Sequence, residues 1–376
     1  MNVLIIPDKF KGSLTGTEVI EAIEAGLRRF DSGIQTHSIT ASDGGDGFLD
    51  AIRKSDASVE AIDCQTTDPL GRPIRAEYGL DVNRGTAYIE MARASGMELL
   101  AAEERDPSRT STLGTGTLIA DALLRGAKTF YIGLGGSATN DGGIGIAEAL
   151  GYRFLNVDGA TLPSTGGALQ QIASIDASGV LPELSSARVF AINDVANPLL
   201  GPEGAAAVYG PQKGADRDMV ARLDRGLDRL QQIVQRDLQL DVADVPGSGA
   251  AGGTGYGLKA FLHAEFLSGI EFVLSLTGVE ALLSGGTIDW IVTGEGKIDD
   301  QTAYGKLVRG VADVGEKYRV PVAALCGVLA LEKASVEDLG LTRVRQIHDP
   351  VRSVDETIRQ AKALLIDAAE QLLKAG

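Results

Sequence analysis

Residues 129–154, TFYIGLGGSATNDGGIGIAEALGYRF, run from a short β-type segment through a glycine-rich loop into a helix. Thr129-Phe130-Tyr131-Ile132 is the strand. Ile144, Ala147, Leu150 and Phe154 recur at helical spacing, with Gly151 interrupting them. Between the two lies GGSATNDGG, Gly135 to Gly143, with four glycines, the polar groups of Ser137, Thr139, Asn140 and Asp141, and no bulky apolar side chain. A strand feeding a glycine-rich turn into a helix start directs backbone N–H groups at one spot, which favours an anion and above all a phosphate. A carboxylate there would repel phosphate unless a cation bridges them, so Asp141 points to phosphate with Mg²⁺. The same residues also suit a turn capped by Asn140 or Asp141.

Composition narrows the classes. The chain has 376 residues, 44% of them hydrophobic, which favours two domains over one core. Its 48 glycines, roughly twice the average share, cluster in short loops with Asp, Asn, Ser and Thr rather than in low-complexity filler. A net charge of −16 argues against nucleic acid and against an anionic membrane surface as partners. No apolar run approaches the ~20 residues of a membrane span, and MNVLIIPD reads as a strand rather than a signal sequence. Cys64 and Cys326 stand far apart without a CxxC pattern, which suits a reduced, cytoplasmic setting and no cysteine metal site.

Strand and helix alternate through the first sixty residues. Val3 to Ile6 is a strand, Thr15 or Thr17 caps a helix carrying Val19, Ile20, Ile23, Leu27 and Phe30, Gln35 to Thr40 is a second strand, and Phe48 to Ile52 is helical. From about Val59 to Met91, alternating stretches broken by DPLGRP and DVNRG read as an antiparallel meander. Helices follow near 116–126 and 216–237, with a strand at Val189 to Ile192 between them. After GSGAAGGTGYG (247–257) the βα rhythm returns: strand 288–292, helix 306–318, strand 320–325 and a final helix 354–373. The organisation expected is α/β with two domains. A discontinuous Rossmann-like parallel-sheet domain spans 1–60 and 258–376, and an inserted α/β domain with a mixed sheet spans 61–257.

Polar loops mostly follow strands, at the edge where open α/β sheets bind ligands. Pro7 to Ser13 carries Lys9, Lys11 and Ser13, suited to a carboxylate or phosphate or simply to a solvated loop. Ser42 to Gly47, SDGGDG, offers Asp43 and Asp46 for Mg²⁺ or a general base, or for a helix cap. Thr112 to Gly116 opens a helix. Asn193 and Asp194 end an apolar strand, where partial burial perturbs a carboxylate, and Lys213 follows in YGPQKG as a point charge for a phosphate. GSGAAGGTGYG has no strand before it and the wrong glycine offsets for a dinucleotide fingerprint, so a nucleotide loop or an interdomain hinge fits it better. Thr293 to Thr302, TGEGKIDDQT, brings Gly294, Glu295, Gly296, Lys297 and Asp299 to a strand end. The chain holds no P-loop, zinc pair or nucleophile elbow. Carboxylates, lysines, amides and Mg²⁺ must carry the chemistry, an inventory that suits phosphoryl transfer.

PDKFKGSLT (7–15), SDGGDG (42–47), IEMARASGMELL (89–100), GTG (114–116), GLGGSATNDGGIG (133–145), NDVANPLLGPEGAAAVYGPQKGA (193–215), GAAGGTGYG (249–257) and TGEGKIDDQTAYGK (293–306) occur in order. Together they resemble the class I bacterial glycerate kinases, the glycerate 2-kinases, along almost the whole chain. The resemblance implies ATP- and Mg²⁺-dependent phosphorylation of D-glycerate to 2-phosphoglycerate, in a cleft between a Rossmann-like domain and an inserted one. The chain departs from the family pattern at Lys9, where Ser is usual, at Leu113, where an aromatic is common, and at Cys326 to Leu329, which replaces Ala-Gly-Ser-Leu.

On that footing, Asp194 is the expected base or orienting group, with Asp43 as second choice and Lys297 assisting. Lys11, Ser13, Asn193 and Lys213 are expected at the substrate. Gly135, Gly136, Ser137, Asn140, Asp141, Gly294 and Gly296 are expected at nucleotide phosphate, and Glu295 and Asp299 at Mg²⁺. The competing expectations are a non-catalytic sugar-acid sensor, a kinase yielding 3-phosphoglycerate, and an NAD(P)-linked dehydrogenase. Pro7-Asp8-Lys9 after the first strand, in place of a glycine fingerprint, counts against the last.

Overall fold

The computed structural model describes residues 1–10, 12–39, 47–300, 302 and 307–374, without the side chains of 273 and 275. Lys11 and Asp43 fall outside them. The strands are β1 (Asn2–Pro7), β2 (Gln35–Ser38), β3 (Glu60–Thr67), β4 (Pro73–Asp81), β5 (Thr86–Glu90), β6 (Thr129–Gly133), β7 (Arg153–Leu155), β8 (Ser174–Asp176), β9 (Arg188–Ile192), β10 (Glu265–Leu267), β11 (Trp290–Asp299), β12 (Val322–Ala330) and β13 (Arg343–Gln346). The chain divides into two compact units, Met1–Ser42 with Ser268–Gly376, and Asp43–Leu267.

In the first unit a wholly parallel sheet runs β13-β12-β11-β1-β2. The continuous apolar run of β1 is buried on both faces, as a parallel strand requires. Val3 and Ile5 meet helices Gly16–Phe30 and Val354–Leu372, while Leu4 and Ile6 meet helix Leu307–Tyr318. Thr15 caps the first of these helices in a reciprocal capping box with Glu18. That helix crosses Val354–Leu372 closely because residue 26 is glycine, where a Cβ would stand 2.3 Å from the Ile366 carbonyl oxygen. β1 leads to β2 on one side, while β11 leads through a helix to β12 on the other. The order therefore reverses between β1 and β11, and the crevice beyond their carboxyl ends is where such sheets bind ligands.

The second unit holds a mixed sheet, β10-β9-β6-β5-β4-β3, and a separate pair, β7-β8. β10, β9, β6 and β5 are parallel, whereas β5, β4 and β3 form the antiparallel meander. One sheet face packs Ala87, Ile89, Phe130, Ile132, Val189 and Ala191 into the main core, with Leu223, Leu227, Leu230 and Ile233 of helix Arg217–Leu238. Tyr88, Tyr131 and Phe190 stack across the other face at 5.6 and 5.2 Å between rings.

The unit boundaries lie elsewhere than at 60/61 and 257/258, for two reasons. Helix Phe48–Ser55 packs on β4 and β5, with Leu49 filling the space left by Gly79. Helix Ala250–Leu262 sends Tyr256 and Phe261 into the second unit's core, and β10 pairs with β9. A third departure concerns TGEGKID, which is strand rather than loop. β11 continues to Asp299 because β12 extends beside it, pairing Glu295 with Cys326, Lys297 with Val328 and Asp299 with Ala330, and Ile298 is fully buried. Among the described residues no helix is long and apolar enough to cross a membrane.

Candidate active site

The parallel strands β5, β6 and β9 end in register at Glu90, Gly133 and Ile192, so the segments that follow leave one edge of the second sheet. From β6 comes the glycine-rich loop. Its helix, Ile144–Ala149, is short, and the amides around its start are spent inside the protein. Gly142 N–H donates to Gly252 O, Gly143 and Gly145 N–H donate to the Asp141 carboxylate, and Ile146 N–H donates to the Thr112 hydroxyl. The open anion site expected at this helix start is therefore closed.

Asp141 is fully buried. Besides the two glycine amides, it accepts the Thr112 N–H and hydroxyl, both at 2.8 Å, and so caps helix Leu113–Leu124 from another loop. Burial pushes its pKa above the usual carboxylate value, against the pull of these donors. The carboxylate thus joins two helix starts, and protein donors account for an acid buried in this glycine-rich loop. Asn140 is also fully buried, and neither end of its amide has a partner among the described residues. Gly135 and Gly136 remain half-buried at the lip, with Ser137 6% exposed behind them.

GSGAAGGTGYG supplies the loop's backing rather than a nucleotide loop or hinge. Ala251, Gly252 and Gly253 take left-handed conformations, and a Cβ on Gly252 would stand 2.0 Å from Thr139 O. Two glycine runs, a hundred residues apart in sequence, meet backbone to backbone. Lys213 lies beneath the same loop, 2% exposed, with Nζ donating to Ser137 Oγ at 2.9 Å and to Thr139 O at 2.7 Å. Burial pushes its pKa down to about 7, and Asp141 is the charge that opposes this.

After β9, Asn193 closes a tight turn. Its side-chain oxygen accepts Val195 N–H at 2.9 Å, its amide donates to Val195 O, and Asp194 follows half-buried at the strand end. At the end of β5, Glu90 accepts Gly47 N–H and Leu49 N–H, both at 3.0 Å, capping helix Phe48–Ser55 just after the SDGGDG segment. Sequence reasoning assigned Glu90 no role, although a carboxylate closing an otherwise apolar strand, in IEMARASGMELL, was the available signal.

The first unit carries a second cluster, beyond β1 and β11. Asp8 N–H donates to Gly294 O, and Ser13 is engaged in its own turn, its hydroxyl donating to Phe10 O at 3.0 Å. Glu295 accepts the Thr302 hydroxyl at 2.8 Å, and that hydroxyl in turn accepts Asp299 N–H at 3.1 Å. Lys297 pairs with Asp299 at 3.0 Å. Gly294 and Gly296 lie along the same extended strand. Among the described residues no three potential ligands come together as a protein-only metal cage. Two carboxylates nevertheless suit Mg²⁺, which keeps several waters and takes its remaining ligands from substrate phosphates.

The model of the glycerate kinase family matches residues 3–375. The chain is 42% identical over 373 residues to a glycerate kinase of Halalkalibacterium halodurans, covering 99% of this chain and 97% of that one. It is 41% identical over 361 residues to glycerate 2-kinase of Escherichia coli, covering 96% and 94%. A crystal structure assigned as glycerate kinase 2 from Salmonella typhimurium LT2 superposes with a TM-score of 0.82 at 40% identity, covering 99% of this chain and 96% of that one. The chain belongs to the glycerate kinase family, and it is an enzyme, a kinase.

Proposed function

We propose that this kinase transfers the γ-phosphoryl group of ATP directly to the 2-hydroxyl of D-glycerate, releasing ADP and 2-phosphoglycerate. What most supports the regiochemistry is the 41% identity to a glycerate 2-kinase, carried over 96% of this chain. Asp194 accepts the hydroxyl proton as the new P–O bond forms and the bond to ADP breaks, and Asp43 is the alternative base. Lys11, Ser13 and Asn193 hold the glycerate end, Asn193 by fixing the turn that presents Asp194. Gly135, Gly136 and Ser137 receive phosphate oxygens, with Gly294 and Gly296 contributing backbone on β11. Asn140, Asp141 and Lys213 support that loop from within. Glu295 and Asp299 would hold Mg²⁺, which neutralises charge on the phosphates when bound. Lys297, which pairs with Asp299 here, would then be free to balance negative charge on the phosphates or the glycerate carboxylate. Little covalent chemistry falls to the protein in such a transfer, so positioning and fixed charge do most of the work.

A positioned base contributes roughly 10²–10⁴-fold. Asp194→Asn should therefore lower kcat by at least about 10²-fold with little change in KM for glycerate. An Asp194→Asn enzyme with near wild-type kcat moves the role to Asp43. A chain that binds D-glycerate yet never releases ADP is a sensor, and the kinase reaction proposed here is then abandoned.

A further inference from the structure

Lys213 ends a single tight turn, Pro211–Lys213, and Gly214 follows in a left-handed conformation pressed against the Arg105 carbonyl. Its amine bonds two neutral acceptors of the phosphate loop, Ser137 Oγ and Thr139 O. An ammonium carries three N–H donors, whereas the uncharged amine has two, the number found bonded. Among the described residues no ion pair reaches Lys213. The charge that acts on it, Asp141, spends its carboxylate on Thr112, Gly143 and Gly145. Arg105, packed against Gly214, has a buried Nε without a partner, and Asp216 caps the next helix through Met219 N–H. An unpaired ammonium in such a place is expensive, and burial accordingly pulls the lysine down to about 7.

The same stretch of loop holds polar capacity that the protein leaves unused. Thr139 Oγ1 and both ends of the Asn140 amide are buried without partners among the described residues. Such groups are normally satisfied, and each exception calls for an explanation. A phosphate settling on the loop provides one. It also brings the negative charge that makes an ammonium at Lys213 favourable in a medium of low dielectric.

We propose that, above neutral pH, Lys213 rests as the neutral amine beneath the loop and takes up one proton from solvent when a nucleotide phosphate binds on Gly135–Ser137. No covalent bond to phosphorus or carbon changes, and the proton comes from the buffer. The ammonium then faces the phosphate through Ser137 and Thr139, placing a positive charge under the group that develops negative charge during transfer. Lys213 is in this sense a positioning residue, acting through the loop rather than touching the ligand. This inference rests on assigning the loop to nucleotide phosphate.

Proton uptake is measurable by titration calorimetry with the magnesium complex of a non-hydrolysable ATP analogue, in buffers of different ionisation enthalpy. Wild type should take up almost no proton at about pH 6 and close to one above about pH 8, as linkage requires for a group near 7. Lys213→Met should bind the analogue with no uptake at any pH. Binding by wild type without uptake across this range overturns the proposal and leaves the loop's phosphate assignment standing. Uptake that persists in Lys213→Met also overturns it, and identifies Asp141 or another group as the acceptor. Failure of wild type to bind the analogue removes the assignment and the proposal together. If Lys213→Met does not fold, Lys213→Arg makes the same comparison, because its side chain stays charged at every pH and should bind the analogue with no uptake.

Discussion

Asp141→Ala separates a structural carboxylate from a phosphate or metal contact. The side chain accepts four donors in a fully buried site: Thr112 N–H and hydroxyl at 2.8 Å each, Gly143 N–H at 3.1 Å and Gly145 N–H at 3.3 Å. A buried donor left without an acceptor costs roughly 1–3 kcal/mol. Partial relaxation and the relief of a buried charge offset part of the sum, leaving a loss of about 3–5 kcal/mol. That is a large share of a typical stability of about 5–15 kcal/mol. Asp141→Asn provides the internal control. Oδ2 takes three of the four bonds and Oδ1 only one, so an amide with its oxygen at the Oδ2 position loses one bond, about 1–2 kcal/mol. Urea unfolding of the three proteins, followed by circular dichroism, measures the differences. If Asp141→Ala unfolds within about 0.5 kcal/mol of wild type yet has lost kcat, Asp141 acts on the ligand and its structural assignment fails.

Other consequences follow from the same geometry. Glu90→Ala uncaps helix Phe48–Ser55 by freeing Gly47 and Leu49 N–H; unfolding should shift by about 1–2 kcal/mol, and an unchanged midpoint would show that the cap is dispensable. Gly252→Ala places a Cβ 2.0 Å from Thr139 O at a φ of +69°. Strain and backbone displacement should cost upwards of about 2 kcal/mol and raise KM for ATP, whereas a neutral substitution would mean that the two glycine runs do not buttress each other. Lys213 also gives stability a pH slope. Below about pH 7 it is protonated folded and unfolded alike. Between about 7 and the ordinary lysine value of 10.5, the unfolded chain keeps a proton that the folded chain has released, so this group makes stability rise by up to about 1.4 kcal/mol per pH unit. Lys213→Met should remove that rise, and parallel pH–stability curves for the two proteins would exclude it.

Much of the architecture was legible because it rests on local patterns. The apolar run Val3 to Ile6, the Thr15 cap and the stripe Leu223, Leu227, Leu230 and Ile233 each identify an element without tertiary information. The alternation after Val59 likewise marked the antiparallel part of the mixed sheet. Features set by distant partners were hidden. TGEGKID carries the glycines and charges of a loop, and only the extension of β12 makes it strand. Asp141 sits where a phosphate loop would place a ligand, but two of the four hydrogen bonds it accepts come from Thr112, twenty-nine residues earlier. GSGAAGGTGYG could be excluded as a dinucleotide fingerprint from its spacing, yet its partner, the Thr139–Gly143 backbone, could not be named. Asn193 and Asp194 were recognisable at the end of an apolar strand. Glu90 was not, because its partners are main-chain amides that no side-chain motif announces.

Phosphorylation of D-glycerate at its 2-hydroxyl can be read from ³¹P NMR of a reaction containing ATP, Mg²⁺ and D-glycerate. ADP should accumulate in step with a single new phosphomonoester whose phosphorus couples to the one methine proton of 2-phosphoglycerate. A phosphorus coupled instead to two methylene protons, or ATP left intact, would contradict it.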